Sequence, residues 1–286
     1  MNRGGFTLLE LLTVILILSL LLMILTPGLI RAREEGRGIS CRNNLRQMCL
    51  AADLYTNDYD RNYPLTQYTW IDSLNPAGLQ EQTEPQENWI YYAWDFTVIP
   101  GVDQNQVLPG LLWQGETLAQ INQCPSYKGD DNWMDAPYSG YNYNTSYIGH
   151  GEGERVLADR YSGKVIEHPF LPLTQIVMSA RTDEIRNPAH CVLFGDGQYA
   201  EGANKCMRSP WYWEGDCDVL IRVAGTQGYR HNGKTNAGWS DGHVTAQKTL
   251  YTDSLSAIQS QLDAYNENNK IKIGFLSSDN HLYDLK

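Results

Sequence analysis

The chain has 286 residues, with 22 Lys and Arg against 33 Asp and Glu, a net charge of -11. That balance repels phosphate backbones and excludes nucleic acid as a natural partner. Cysteines stand at positions 41, 49, 124, 191, 206 and 217 with no C-x-x-C pair. Zinc-ribbon and thioredoxin-like readings therefore lose their usual signature, while an oxidising compartment stays open. Eighteen Tyr and eight Trp suit either ring packing under loops or a sticky, glycan-type surface.

From Phe6 to Ile30 the sequence is apolar with Glu10 its single charge, long enough to cross about 30 Å of hydrocarbon as a helix. A secretory signal would close a shorter apolar core at a small-residue site, but here Arg31-Ala32-Arg33 follows. Arg3 marks the start as cytoplasmic, whereas Arg31, Arg33 and Arg37 count against that orientation.

Gly4-Gly5-Phe6-Thr7-Leu8-Leu9-Glu10, after a short leader bearing Arg3, resembles the class III leader of type IV prepilins and type II secretion pseudopilins. The resemblance implies a leader at 1–5, removed by a membrane aspartyl prepilin peptidase that cuts between Gly5 and Phe6 and methylates the Phe6 amine. It also implies identical or related pilin subunits and an inner-membrane assembly machinery as partners. An acid within the bilayer costs about 2.5 to 3.5 kcal/mol on insertion scales, so Glu10 needs a partner. Cleavage creates one, and in the resembled family the carboxylate meets the neighbouring subunit's amine. The bland alternative is a snorkelling or protonated Glu10 near the interface.

Pro27-Gly28 is expected to kink or melt the helix that fills 6–30, a feature filament packing could exploit. Residues 31–62 then read as an amphipathic continuation, with apolar Ile39, Leu45, Met48, Leu50, Ala52 and Tyr55, weakened by Gly36 and Gly38. A helix from Phe6 to about Asn57 is a rod on the order of 80 Å.

The head, 63–286, carries a second resemblance that begins on the stem with Arg42-Asn43-Asn44-Leu45-Arg46-Gln47, Tyr55 to Asp60 and Tyr63-Pro64. It continues with Cys124-Pro125-Ser126, Ser139 to Asn144, Asn187-Pro188, Val192 to Asp196, and His231 followed by nine residues and Asp241-Gly242. Together these resemble a pilin-like family with a C-terminal H-X9-DG motif. Leu65 to Gln123 matches nothing so specific and reads as loops with short elements.

Cys191 to Phe194 reads as a buried strand, and the runs at 237–240 and 243–246 as a hairpin turning at Asp241-Gly242. Leu255, Ile258, Leu262 and Tyr265 recur at helical spacing, before a last strand at 271–276. The class expected is α+β, a long stem helix packed on an antiparallel sheet.

His231, Asp241 and His243, with Asp196 alike in type, form the most enzyme-like set, but no G-x-S-x-G, H-E-x-x-H, P-loop or G-x-G-x-x-G motif accompanies them. Turn chemistry accounts for Asp241-Gly242, and a bond to a loop carbonyl for His231, more economically than a metal. Because some major pseudopilins bind calcium in a C-terminal loop, Asp196, Asp216, Asp218 and Asp241 are calcium candidates by type alone, without EF-hand spacing. No cofactor is otherwise expected. Cys206 and Cys217 bracket a short Trp-rich loop that a disulfide would stabilise by roughly 2 to 3 kcal/mol. Cys41 with Cys124 is a second candidate pair, tying stem to head.

The expected function is that of a filament subunit: single-pass in the inner membrane before assembly, head periplasmic, filament periplasmic or extracellular. The alternative is a surface-binding module that uses the stem as a tether and its rings to hold polysaccharide or another envelope polymer. A tethered hydrolase would require His231 and Asp241 to converge.

Overall fold

The structure, a computed structural model, describes residues 7–71, 89–99, 101, 105–114, 121, 123–128, 140–150, 179–199, 204–211 and 225–286. Its first element is one helix, α1 (Leu8–Asp58). Thr7 caps it reciprocally with Glu10: the Thr7 amide donates to Glu10 Oε2 at 2.8 Å, and the Glu10 amide to Thr7 Oγ1 at 3.3 Å.

Helix α1 runs unbroken through Pro27 and Gly28, so the melting expected as one of two outcomes there does not occur. Proline removes a single amide donor, and the Leu- and Ile-rich helix before it and the helix-forming residues Leu29 to Arg33 after it carry the helix through the gap. Gly36 and Gly38 are likewise inside the helix. At about 1.5 Å per residue its 51 residues span roughly 77 Å. The helix closes where Asp60 and Arg61 take positive φ (54° and 67°) and the Arg61 amide returns to Thr56 O at 2.7 Å.

The two halves of α1 live in different surroundings. Large apolar side chains from Leu8 to Ile30 are all exposed. Past them, Gly38, Cys41, Leu45, Met48, Cys49, Ala52 and Thr56 are buried, a stripe stepping by three and four residues against the head. Ile39 and Leu50, two of the apolar residues of the amphipathic reading, are 60% and 58% exposed on the outer face. The inner stripe uses small residues because the helix lies close to a sheet.

Strands β1 (Gln67–Ile71), β2 (Trp89–Ala93), β3 (Phe96–Ile99) and β4 (Gln106–Pro109) form an antiparallel meander in the stretch expected to be mostly loops. The main sheet contains β5 (Asn142–Asn144), β6 (Val192–Gly195) and β7 (Cys206–Met207). Strand β8 (Gln227–Gly228) lies apart from it, and β9 (Thr235–Trp239) and β10 (Val244–Gln247) complete it. Its order is β10-β9-β6-β5-β7, antiparallel except for the parallel β5–β7 pair. Helix α2 (Ser256–Asn268) buries Ile258 and Leu262 on Ile273 and Phe275. Leu255 is its N-cap and is exposed rather than on that face. The expected last strand shrinks to β11 (Ile273–Gly274), paired with β8 outside the main sheet.

Helix α1 packs chiefly over β9, with β6 and β10 beside it. The approach is close at Gly238, where an added Cβ would sit 2.7 Å from Cys49 Sγ. Beneath, Trp94, Tyr143 and Phe194 pack with ring centroids 5.1 to 5.8 Å apart, all 1% exposed or less. Trp94 and the Lys205–Asp95 ion pair (2.8 Å) join the meander to the main sheet, the indole donating to Lys205 O at 3.2 Å. Much of the ring content thus serves the interior; Trp211, at 38% exposure, is the one large ring of the described head beyond Tyr63 that stands well out.

Leu45→Ala is expected to cost about 2 to 5 kcal/mol, and Leu50→Ala no more than about 0.5 kcal/mol, in denaturant unfolding of the detergent-solubilised chain. Gly238→Ala is expected to cost about 1 to 3 kcal/mol, and Cys49→Ala in the same chain to recover part of that loss, because it removes the sulfur the new methyl meets. Additive single and double variants would contradict the close approach.

Candidate functional site

Two local devices aim His231. The four residues His231-Asn232-Gly233-Lys234 make a tight turn, with His231 N donating to Lys234 O at 3.0 Å and Lys234 N to His231 O at 3.1 Å. Both central residues have positive φ, 52° and 78°, the geometry that Asn-Gly adopts at low cost. This turn is pinned to the stem. Asn232 Nδ2 donates to Arg31 O (3.2 Å) and Glu35 Oε1 (3.1 Å), and Lys234 Nζ lies 3.3 Å from the same carboxylate.

His231 consequently points into the stem–head junction, 3% exposed, where it meets Cys41 of α1, Cys124, and Asp196 just past β6, each 0% exposed. One ligand-type atom from each of the four lies within 4.8 Å of the others. Cys41 Sγ donates to Asp196 Oδ1 at 2.8 Å; His231 Nε2 is 3.3 Å from Asp196 Oδ2 and 3.8 Å from Cys124 Sγ. The other ring nitrogen, Nδ1, is 3.1 Å from Glu34 Oε1, which also accepts from the Ser126 hydroxyl. Asp196 Oδ2 accepts from the Asn236 amide (2.7 Å) and Nδ2 (3.0 Å). Arg230, fully enclosed, lies 3.5 Å from Asp196 Oδ1 and donates to Gly140 O at 2.6 Å.

The electrostatics follow from this enclosure. Burial opposes charge on Asp196, but bonding to His231, the Arg230 charge and the Cys41 thiol hold its carboxyl below the ordinary value. Burial would also lower His231, yet Asp196 and Cys124 push it up to about 10. Burial works against ionising Cys124 as well, but the Cys41 thiol, Arg230 and His231 hold it well below a normal thiol. Cys41, buried and donating to its neighbours, is pushed well up.

Asp241 and Gly242 are elsewhere. They form the β9–β10 turn, Gly242 N donating to Trp239 O at 2.9 Å with φ +85°, and Asp241 accepts from the His243 amide at 3.1 Å. His231 and Asp241 flank opposite ends of β9, so the convergence required of a hydrolase is not made. Of the calcium candidates, Asp196 sits among sulfur and nitrogen donors and Asp241 at the exposed turn; Asp216 and Asp218 lie outside the described residues. So does Cys217, and with it the Cys206–Cys217 pairing. Cys41 and Cys124 are neighbours, each with a free thiol. Glu34, Arg230 and Asn236 belong to the junction without having been singled out from the sequence. The Asn-Gly pair at 232–233 was the available signal.

Gly5 and Phe6 also lie outside the described residues. Comparison with known proteins bears on that end of the chain: residues 1–26 match the prokaryotic N-terminal methylation motif. The chain is also 30% identical over 83 residues to competence protein ComGC of Halalkalibacterium halodurans, an alignment covering 29% of this chain and 76% of that protein. No solved structure matches. Given the motif and the extent to which that relative is covered, the chain belongs to the prepilin-like family of proteins that carry an N-terminal methylation motif.

Proposed function

We propose that the chain is a subunit of a type IV pilus or type II secretion pseudopilus filament, cut between Gly5 and Phe6 by a prepilin peptidase. The observation that carries the reading is the division of α1: from Leu8 to Ile30 its apolar side chains have no cover, while the continuation is fixed to the head. An apolar surface of that size needs lipid before assembly and neighbouring stems after it. Ile39, Leu50 and Leu54 extend uncovered apolar surface along the outer face of the head-bound half. The similarity to a competence protein and the methylation motif support the same role.

Glu10 is then the register group. Before processing its carboxylate is occupied by Thr7, accepting from the amide and the hydroxyl, both at 2.8 Å. After processing, a neighbour's Phe6 amine supplies the positive partner that a bilayer-buried acid requires. The peptidase and the inner-membrane machinery are the partners before assembly, and other pilin-type subunits after it.

Glu10→Val is expected to insert in the membrane and lose its leader normally, yet to reduce filament yield at least about tenfold, measured in sheared-filament fractions; wild-type yield would remove the role given to Glu10. Replacement of Gly5 by Val is expected to leave an N-terminal peptide that retains residues 1–5 and an unmethylated amine. Mass spectrometry that finds Phe6 methylated in that variant would contradict the cleavage site.

A further inference from the structure

We propose that Cys41, Cys124, Asp196 and His231 bind a zinc-type divalent ion that locks the stem to the head. Two thiolates, an imidazole nitrogen and a carboxylate oxygen are the donor set of four-coordinate Zn2+, and their mixture of softness disfavours calcium or magnesium. In a tetrahedral zinc site, bond lengths of about 2.0 to 2.3 Å place donor atoms roughly 3.2 to 3.8 Å apart. Here Nε2 lies 3.3 Å from Asp196 Oδ2 and 3.8 Å from Cys124 Sγ, and Cys41 Sγ lies 2.8 Å from Asp196 Oδ1. Small side-chain adjustments within one buried cluster bring all four onto a common centre.

The surroundings are those that a metal centre needs. Glu34 faces the far ring nitrogen of His231, the carboxylate–histidine arrangement that fixes the tautomer and leaves Nε2 to the ion. Asn236 holds Asp196 from its other side with two donors. Arg230 completes the charge: two thiolates and a carboxylate around a divalent ion leave one negative charge, and the enclosed guanidinium beside Asp196 cancels it. On binding, each sulfur that still carries a proton gives it up to solvent, as does His231 Nε2 where protonated; no electron is transferred. The cross-link would join α1, the Cys124-Pro125-Ser126 segment, the end of β6 and the turn before β9.

The test is metal analysis of the full-length chain in detergent, purified without chelator, followed by cobalt exchange. About one zinc per chain is expected, as is a near-ultraviolet thiolate-to-cobalt band with the intense visible bands of tetrahedral cobalt. Cys124→Ser should abolish the thiolate band or cut it by about half, and Glu34→Gln, which leaves all four ligands in place, should weaken affinity about 10- to 100-fold. Asp241→Asn, at the exposed turn, should keep the metal and so controls for folding. A chain that contains no zinc and takes up no cobalt overturns the proposal, as does a Cys41–Cys124 disulfide in protein taken from the cell.

Discussion

Everything in the head is referred to one contact, the close passage of α1 over β9. A helix and a strand come this near only where side chains between them are small, and Gly238 opposite Cys49 supplies the missing bulk. The stripe Gly38, Cys41, Cys49, Ala52 is small for the same reason, with Leu45 and Met48 filling the gaps to either side. Burying that stripe fixes the helix axis on the sheet. It also brings Cys41 to the level of the end of β6, where Asp196 emerges.

The second consequence is at the lower edge of the contact. The Asn232-Gly233 turn reaches the stem at Arg31 and Glu35, just past the bare apolar half, and closes the junction over His231. Residues separated by more than a hundred positions then become one hydrogen-bonded unit, as in Cys41 with Asp196 and Cys124 with His231. Such a buried polar unit is unforgiving: each member is satisfied only while the others are in place. It therefore specifies one stem-to-head arrangement rather than a family of related ones.

Much of this was legible in the sequence wherever the signal was local. The stem announces itself by 25 apolar-rich residues from Phe6 to Ile30, the β9–β10 hairpin by Asp-Gly, and α2 by Ile258 and Leu262 at helical spacing. The errors have physical causes. Hydrophobicity alone does not choose the inner face: Ile39 and Leu50 stand outward, while close packing selects Gly38, Cys41, Cys49 and Thr56, which are weakly apolar or polar. Pro27 lacks an amide donor, yet the helix runs on past it to Asp58. The meander at β1–β4 was hidden because Gln- and Pro-rich connections dilute strands of four or five residues. The buried site could not be assembled from sequence, since its members share no spacing; only His231 and Asp196, Cys41 and Cys124 were noted, for separate reasons.

The charges at the junction bear on the orientation of the stem. Arg31, Arg33 and Arg37 oppose an orientation with the N-terminus in the cytoplasm if each is counted as free. Glu34 and Glu35 lie among them: Glu34 pairs with Arg37 at 3.4 Å, and Glu35 faces Lys234 of the head. Flanking charge weighs little in that rule where a large domain follows the apolar segment, because such domains translocate largely regardless of it. The charged cluster lies where stem meets head: Arg31 O and Glu35 accept from Asn232, and Glu35 faces Lys234.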